Sequence, residues 1–167
     1  MQSKHGKIGR PLLHKPFMPK ARQHAATSGG TPDDIEAAFY EALRTADLDA
    51  LMACWADEDD IVCIHPGGAR VSGVSAVRAA FDAIFVHGGG IQVRAESIRR
   101  MDSVGGAVHS VLERVEVMSA DGPLQAHVLA TNVYLRTPQG WRLVLHHASP
   151  GLKEEVQDFS SAAQVLH

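Results

Sequence analysis

Residues that can transfer a proton or polarise a carbonyl oxygen recur along the C-terminal half of this sequence, separated by apolar positions. The set comprises His109, Glu113, Asn132, Tyr134 and His147. An imidazole can give or take a proton near pH 7, and an amide or a phenol can polarise a carbonyl oxygen. A few polar groups among apolar neighbours is also how a small-molecule pocket is usually lined. The pattern therefore indicates a pocket with the means for acid/base chemistry, provided that the fold brings these residues to one surface.

Strand pairing decides whether these residues share a surface. Alternate residues of a strand point to the same face, and hairpin partners lie directly opposite each other. The segment 119–122 contains an Asp-Gly pair and predicts a tight hairpin turn. If Met118 pairs with Pro123 across this turn, His109 lies opposite Asn132. This pairing would place both side chains on one face of a sheet.

The last hairpin decides where the C-terminal histidines point. If Arg136 pairs with Trp141, Ala130 lies opposite His147. We then expect His147 to join the polar face and His146 to point to the other side. A bulge in either strand would reverse this assignment, because one extra residue moves one strand's side chains to the opposite face.

Three further candidates come from outside these strands. His65 follows a short β-branched run and precedes Pro66, where the mouth of a pocket would lie. Tyr40 and Trp55 lie on predicted helices and would close the pocket with a phenol and an indole, although such residues are more often simply core. The complete set of candidates is His65, His109 and His147 as catalytic residues and Tyr40, Trp55, Glu113, Asn132 and Tyr134 as ligand-binding residues.

The elements that must position these residues are marked by caps and by hydrophobic periodicity. Thr31, followed by Pro32 and two acids, is typical of a helix start. Apolar residues at helical spacing and β-rich runs between turn formers then predict the rest. The predicted elements are helices from 32 to about 44, 48–55 and 74–87, short strands over 61–64 and 69–71, and long strands over 91–101, 107–118, 124–136 and 141–148.

The composition predicts one compact domain. Of 167 residues, 45% are hydrophobic and 21% are charged, which is typical of globular domains. No apolar run approaches the roughly 18 residues that a membrane-spanning helix needs, so we expect no membrane partner. Residues 1–30 lack a hydrophobic period and contain three prolines, which predicts a disordered basic tail. The expected organisation is this tail, a domain over 31–150 and a flexible C-terminal tail over 151–167.

The charge distribution disfavours nucleic acid as a partner. Six basic residues and no acidic residue lie in 1–30, which leaves ten basic and nineteen acidic groups, a balance of −9, in the rest of the chain. An acidic body repels phosphate backbones. We therefore expect no nucleic-acid binding.

Neither a metal nor a cofactor is expected from the motifs. The domain's histidines form none of the helical or same-face strand pairs that are typical of zinc ligands. The glycine run 88–90 follows a helix instead of opening one, so it does not predict a nucleotide-binding loop. Cys54 and Cys63 are too few for a disulfide framework, and free thiols suit a reducing compartment. We therefore expect a cytoplasmic protein.

Several segments together resemble a known family. They are FYEAL at 39–43, DLDALM at 47–52 ending at Trp55, CIHPG at 63–67, ATNVY at 130–134 and GWRLVLHHASP at 140–150. The chain resembles the SnoaL-like proteins of the nuclear transport factor 2-like superfamily, and its last segment is similar to the closing strand of the calcium/calmodulin-dependent kinase association domain. The resemblance implies an α+β fold in which a cone-shaped, curved antiparallel sheet packs on three N-terminal helices around a cavity.

The resemblance leaves two functions open, because the superfamily includes both enzymes and non-catalytic modules. The first is a homodimeric domain that binds a small apolar organic ligand or serves assembly, with the free face of the sheet covered by a second copy. The alternative is a cofactor-independent isomerase, dehydratase or cyclase with a histidine as acid/base. No position matches the general-base aspartate of the family's enzymes, so their catalytic residues are not carried over.

Overall fold

The computed structural model describes residues 30–119 and 121–154. Most of the two predicted tails, 1–29 and 155–167, lies outside the described residues. The elements follow the predicted order of two helices, two short strands, a third helix and a meander of four long strands, so the predicted α+β fold is confirmed. Their bounds are Pro32–Thr45 (α1), Leu48–Ala53 (α2), Val62–Ile64 (β1), Arg70–Ser72 (β2), Val74–Gly88 (α3), Gln92–Asp102 (β3), Gly106–Ser119 (β4), Gly122–Thr137 (β5) and Gly140–Gly151 (β6).

Helix α1 begins at a complete capping box. The Thr31 hydroxyl accepts the Asp34 backbone N–H at 3.2 Å, and the Asp34 carboxylate accepts the Thr31 N–H at 2.9 Å. The helix ends at Ala46, which adopts the left-handed conformation with φ 52°. Between these ends, Glu36 and Tyr40 lie four residues apart on the buried face of the helix. The cap therefore fixes the start of the helix that brings two polar side chains to the sheet.

A single six-stranded sheet has the order β2-β1-β6-β5-β4-β3. All neighbours are antiparallel except β1 and β6, which are parallel. A short bridge between Trp55 and Leu143 also ties the segment after α2 to β6. The register shifts between Ala95 and Ser97 in β3 and between Val133 and Tyr134 in β5, and such irregularities bend a sheet.

The register of β4 and β5 agrees with the sequence-based prediction. Met118 pairs with Pro123 and His109 with Asn132. Both His109 and Asn132 are completely buried on the face that meets the helices. The Asp-Gly turn therefore correctly predicted the register of β4 and β5.

The predicted register at the C-terminal histidines is wrong. Tyr134 pairs with Leu143, but Val133 pairs with Leu145, so β6 carries one extra residue at Val144. That bulge turns His146 inward, where it is buried, and leaves the His147 side chain exposed on the opposite face. The physical reason is the two-residue period of a strand, in which one inserted residue exchanges the faces.

The core lies between the helices and the inner face of the sheet, with Phe39 of α1 at its centre. Its ring lies 5.5 Å from Tyr40, 6.3 Å from Trp55, 6.1 Å from Phe81 and 5.2 Å from His146, measured between centroids. Aromatic pairs at these distances favour tilted or edge-on contacts.

Within the part of the chain that is described, no helix combines the length and the apolar character that crossing a membrane requires.

Candidate functional site

Seven polar side chains are buried together between α1 and the inner face of the sheet. Each is no more than 7% exposed. We call this set the inner polar cluster. Its members are Glu36 and Tyr40 of α1, His109 and Glu113 of β4, Asn132 and Tyr134 of β5, and His146 of β6.

The Glu36 carboxylate is the centre of the cluster. Its Oε2 atom lies 2.9 Å from His109 Nδ1 and accepts hydrogen bonds from the Tyr134 hydroxyl at 3.1 Å and the Asn132 amide at 3.4 Å. Because a carboxylate can only accept, the proton of the imidazole lies on Nδ1. In the neutral form of the ring, the other nitrogen, Nε2, carries a lone pair.

The Nε2 atom of His109 is buried and has no hydrogen-bond partner among the described residues. An unpartnered buried nitrogen calls for an explanation, since nearly all such groups are paired. A carboxylate that holds one nitrogen of an imidazole orients the ring and stabilises its protonated form. His109 is therefore arranged to accept a proton at Nε2.

The second carboxyl group of the cluster, Glu113, has the properties of an acid. The Tyr40 hydroxyl donates to Glu113 Oε1 at 2.6 Å. Burial is the largest influence on the pKa of Glu113 and raises it. The Tyr40 hydrogen bond lowers this pKa and the Glu36 charge raises it, and the result is a pKa of about 7. Burial also raises the pKa of Tyr40 well above its usual value. Glu113 is therefore partly protonated near neutral pH, while Tyr40 keeps its proton.

Asn132 connects the two halves of the cluster. Its amide nitrogen lies 3.3 Å from the Tyr40 hydroxyl and 3.4 Å from Glu36 Oε2. Its oxygen lies 2.7 Å from His146 Nδ1, which donates to it. Burial, assisted by the charges of His65 and His147, lowers the pKa of His146 to about 3, so this ring stays neutral. Asn132 is therefore held in one orientation.

Three of the predicted site residues lie apart from the cluster. His65 follows β1 and is half-buried, with its ring 4.9 Å from that of Phe81, and burial lowers its pKa. His147 is exposed on the other face because of the bulge. Trp55 is buried beside Phe39, and its Nε1 has no hydrogen-bond partner in the described residues. The fold brings together the other five predicted residues, Tyr40, His109, Glu113, Asn132 and Tyr134.

Sequence reasoning missed two members of the cluster. Glu36 interrupts the apolar face of α1, next to Ile35 and four residues before Tyr40. A carboxylate on a buried helix face is itself a signal, because burying a charge is costly unless it is paired. His146 had no such signal, since its direction depends on the bulge.

Two members of the inner polar cluster, together with the exposed Asp33, could hold a divalent cation. Ligand atoms of Asp33, Glu36 and His109 lie within 4.8 Å of one another. The sequence motifs did not predict this group, because the spacing rules for zinc ligands apply to pairs within one helix or strand. Each carboxylate already accepts a protein hydrogen bond, since Arg100 Nε donates to Asp33 at 2.7 Å and Tyr134 donates to Glu36. A cation would therefore have to compete with these donors.

Two surface cavities lie away from the inner polar cluster. The larger, of about 390 Å³, is lined by residues that include Trp55 and Arg142. The smaller, of about 260 Å³, is lined by residues that include Arg44, Arg94 and Arg114. Neither of these two cavities has a member of the cluster in its wall. The cluster nevertheless lies close to the surface, because the exposed Asp33 is within 4.8 Å of Glu36 and His109.

Comparison with known proteins supports the resemblance to the SnoaL-like proteins. The family model described as SnoaL-like domain matches residues 33–153. A crystal structure of a putative calcium/calmodulin-dependent protein kinase type II association domain from Thiobacillus denitrificans is 37% identical, with a TM-score of 0.66, and the match covers 73% of this chain and 96% of that one. No curated protein matches this chain.

Two further solved structures have the same fold. A putative dehydratase of the NTF2-like family from Streptomyces avermitilis is 26% identical, with a TM-score of 0.65, over 81% of this chain and 99% of that one. The CaMKII hub of S. rosetta is 20% identical, with a TM-score of 0.58, over 71% of this chain and 92% of that one. The similar structures therefore include a putative dehydratase, a putative association domain and a hub.

Proposed function

This chain belongs to the SnoaL-like domain family, and on that premise we propose that its inner polar cluster transfers protons on a small organic substrate without a cofactor. The observation that carries the proposal is the buried pair of Glu36 and His109, in which the carboxylate holds Nδ1 and Nε2 has no hydrogen-bond partner within residues 30–119 and 121–154. The carboxylate is the group that the sequence-based hypothesis of an enzyme lacked. Its presence favours the enzyme over the non-catalytic ligand-binding domain that we also considered.

The proposed step uses one base and one acid. His109 Nε2 takes a proton from a carbon next to a carbonyl group, and the Glu36 carboxylate stabilises the imidazolium that forms. The protonated form of Glu113 can donate its own proton to the Tyr40 oxygen, which reverses the bond between the two groups and frees the Tyr40 hydroxyl to donate to the enolate oxygen. In a β,γ-unsaturated substrate, return of the proton from the imidazolium to the γ-carbon completes an isomerisation. In a β-hydroxy substrate, transfer of the same proton to the departing hydroxyl group releases water and completes a dehydration. The substrate class is a small, largely apolar carbonyl compound.

Proton abstraction can be tested with a simple probe. Cyclohexanone in D₂O reports it through deuterium incorporation next to the carbonyl, followed by NMR. We expect the protein to accelerate the exchange over buffer, and His109→Gln to lower the acceleration by about 100-fold or more. His147→Gln is the matched control, because it makes the same change on the exposed face and should leave the rate unchanged.

Two outcomes would contradict the proposal. One is exchange no faster than in buffer. The other is a His109→Gln variant that keeps the wild-type rate, or a loss of equal size in both variants. Thermal unfolding of each variant separates a lost base from a lost fold.

A second function, self-assembly through the sheet, is supported by the face that points away from the helices. Leu129 is 46% exposed, Leu135 is 45% exposed and Met101 is 64% exposed on this outer face. Large apolar side chains that share one exposed face are typical of an interface. Two of the similar structures, moreover, are an association domain and a hub. We therefore propose a homodimer, which is compatible with catalysis in each subunit.

The two thiols support the proposed cytoplasmic location. Cys54 and Cys63 are free and buried. Burial raises the pKa of each to about 12, which keeps them protonated and unreactive at neutral pH. Free thiols that are only structural suit a reducing compartment.

A further inference from the structure

The larger surface cavity is a second place where a small molecule could bind. Its volume of about 390 Å³ lies within the range of about 300–1,000 Å³ that is usual for small-molecule sites. Its walls come from the end of α2, the segment after it, the start of α3, and the β5–β6 turn with the start of β6. The lining residues are Met52, Ala53, Trp55, Ala56, Asp57, Val74, Gln139 and Arg142.

Trp55, which lines this cavity, has a buried hydrogen-bond donor without a partner among the described residues. Trp55 is 97% buried, and its indole Nε1 has no partner within the described ranges 30–119 and 121–154. A buried indole N–H usually finds an acceptor. The backbone on either side is held firmly, because Ala56 N–H donates to Leu143 O at 2.9 Å and Leu143 N–H donates to Cys54 O at 2.8 Å. The backbone that carries the indole is therefore held in place.

The same cavity is also lined by a cation that forms no ion pair with the part of the chain that is described. Arg142 is half-buried, and its guanidinium donates to the Trp141 carbonyl at 2.7 Å. No carboxylate of the described residues forms an ion pair with it, although Asp57 shares the cavity wall. A guanidinium favours carboxylate ligands, to which it can make two parallel hydrogen bonds. Met52 and Val74 make other parts of the wall apolar.

From these observations we propose that this cavity binds a small organic carboxylate with an apolar chain. The carboxylate would pair with Arg142 and accept the Trp55 N–H, and the chain would lie against Met52 and Val74. The site is separate from the inner polar cluster, so it is a second site and does not rest on the proton-transfer proposal.

The two tryptophans allow a direct test. Trp55 and Trp141 are the only ones in the chain, so ¹⁵N-labelled protein gives two indole N–H signals, which a Trp141→Phe variant assigns. We expect hexanoate to shift the Trp55 signal in a saturable way, with a dissociation constant on the order of 1 mM, and to leave the Trp141 signal in place. Hexanol is the matched probe without charge and should produce no comparable shift.

Two variants test the charge argument. Arg142→Gln should weaken hexanoate binding by about 10-fold or more, because the ion pair is lost. Asp57→Asn should tighten it, because the substitution removes a negative charge from the same wall, and Asp57 is exposed, so the fold is not at risk.

Three results would overturn the proposal. The first is an unmoved Trp55 signal at hexanoate concentrations well above the expected constant, as would occur if a second copy or a tail of the chain covered the cavity. The second is an equal shift with hexanol, which would mean an apolar groove without carboxylate recognition. The third is unchanged binding in Arg142→Gln.

Discussion

At the scale of single residues, the unusual feature is a pair of carboxyl groups in different electrostatic environments. Glu36 accepts hydrogen bonds from three donors. Among the described residues Glu113 accepts a hydrogen bond only from the Tyr40 hydroxyl, and burial raises its pKa to about 7. Two neighbouring carboxyl groups with different environments are the usual basis for dividing the roles of base and acid. For the proposed proton transfer, we therefore propose that Glu36 supports His109 as the base and that Glu113 supports the acid.

The raised pKa of Glu113 makes a prediction about stability. An acid whose pKa is higher in the folded state binds more protons when folded, so its contribution is full below the unfolded value of 4.5 and is lost as the pH rises to about 7. Between these values we expect wild type to lose roughly 3 kcal/mol relative to Glu113→Gln. The free energy of unfolding in urea, measured for both proteins across this range, checks it.

Wild type must be compared with Glu113→Gln because His146 changes the stability of both proteins with pH in the opposite direction to Glu113. Its pKa is lowered to about 3, so its contribution grows as the pH rises through the window between about 3 and 6.5. Subtracting the variant cancels that effect. Glu116→Gln, an exposed change three residues along β4, is the control and should follow the wild-type profile. A constant difference between wild type and Glu113→Gln would contradict the assigned environment.

At the scale of elements, helix α1 and the bulge in β6 decide which polar groups meet. The helix supplies Glu36 and Tyr40 from one buried face, and the bulge at Val144 chooses His146 over His147. Glu36 and His109 are 73 positions apart, so their contact exists only while α1 is docked on the sheet.

The capping box of α1 predicts how much stability is lost when the capping hydroxyl is removed. Thr31→Ala removes the hydroxyl that accepts the Asp34 N–H, and we expect it to lower the free energy of unfolding by about 1 kcal/mol. Urea denaturation measures this loss. Thr45→Ala at the other end removes only a bond to a helix carbonyl and should change stability by less than about 0.5 kcal/mol. Equal losses in the two variants would mean that the cap is not what stabilises the helix start.

At the scale of the whole molecule, the sheet separates two surfaces with different properties. The inner face carries the polar cluster and the core, and the outer face exposes Leu129, Leu135 and Met101. The carboxylate cavity proposed above lies at the periphery, at the β5–β6 turn and the ends of two helices. A dimer through the outer face would leave the cluster of each subunit intact.

The proposed dimer gives a prediction for the mass in solution. We expect wild type to sediment at twice the chain mass of 17.9 kDa at micromolar concentration. Leu135→Glu should shift it to the monomer, because a charge would be buried in the interface. Val86→Glu places the same charge on another exposed apolar residue, on α3 and 74% exposed, and should leave the dimer unchanged. A monomeric wild type would exclude the interface.

The sequence by itself determined the order of the elements, the cap of α1 and the pairing of His109 with Asn132. These depend on local signals, which are periodicity, capping residues and a turn of defined length. It also identified five of the seven members of the inner polar cluster, Tyr40, His109, Glu113, Asn132 and Tyr134.

Only the tertiary structure decided the direction of His146 and His147, the approach of Glu36 to His109, and the cavity shared by Trp55 and Arg142. One extra residue in β6 exchanges the faces of a strand without leaving a local sequence signal. The other two depend on how a helix or a loop docks on distant strands, and docking is set by the packing of the whole core.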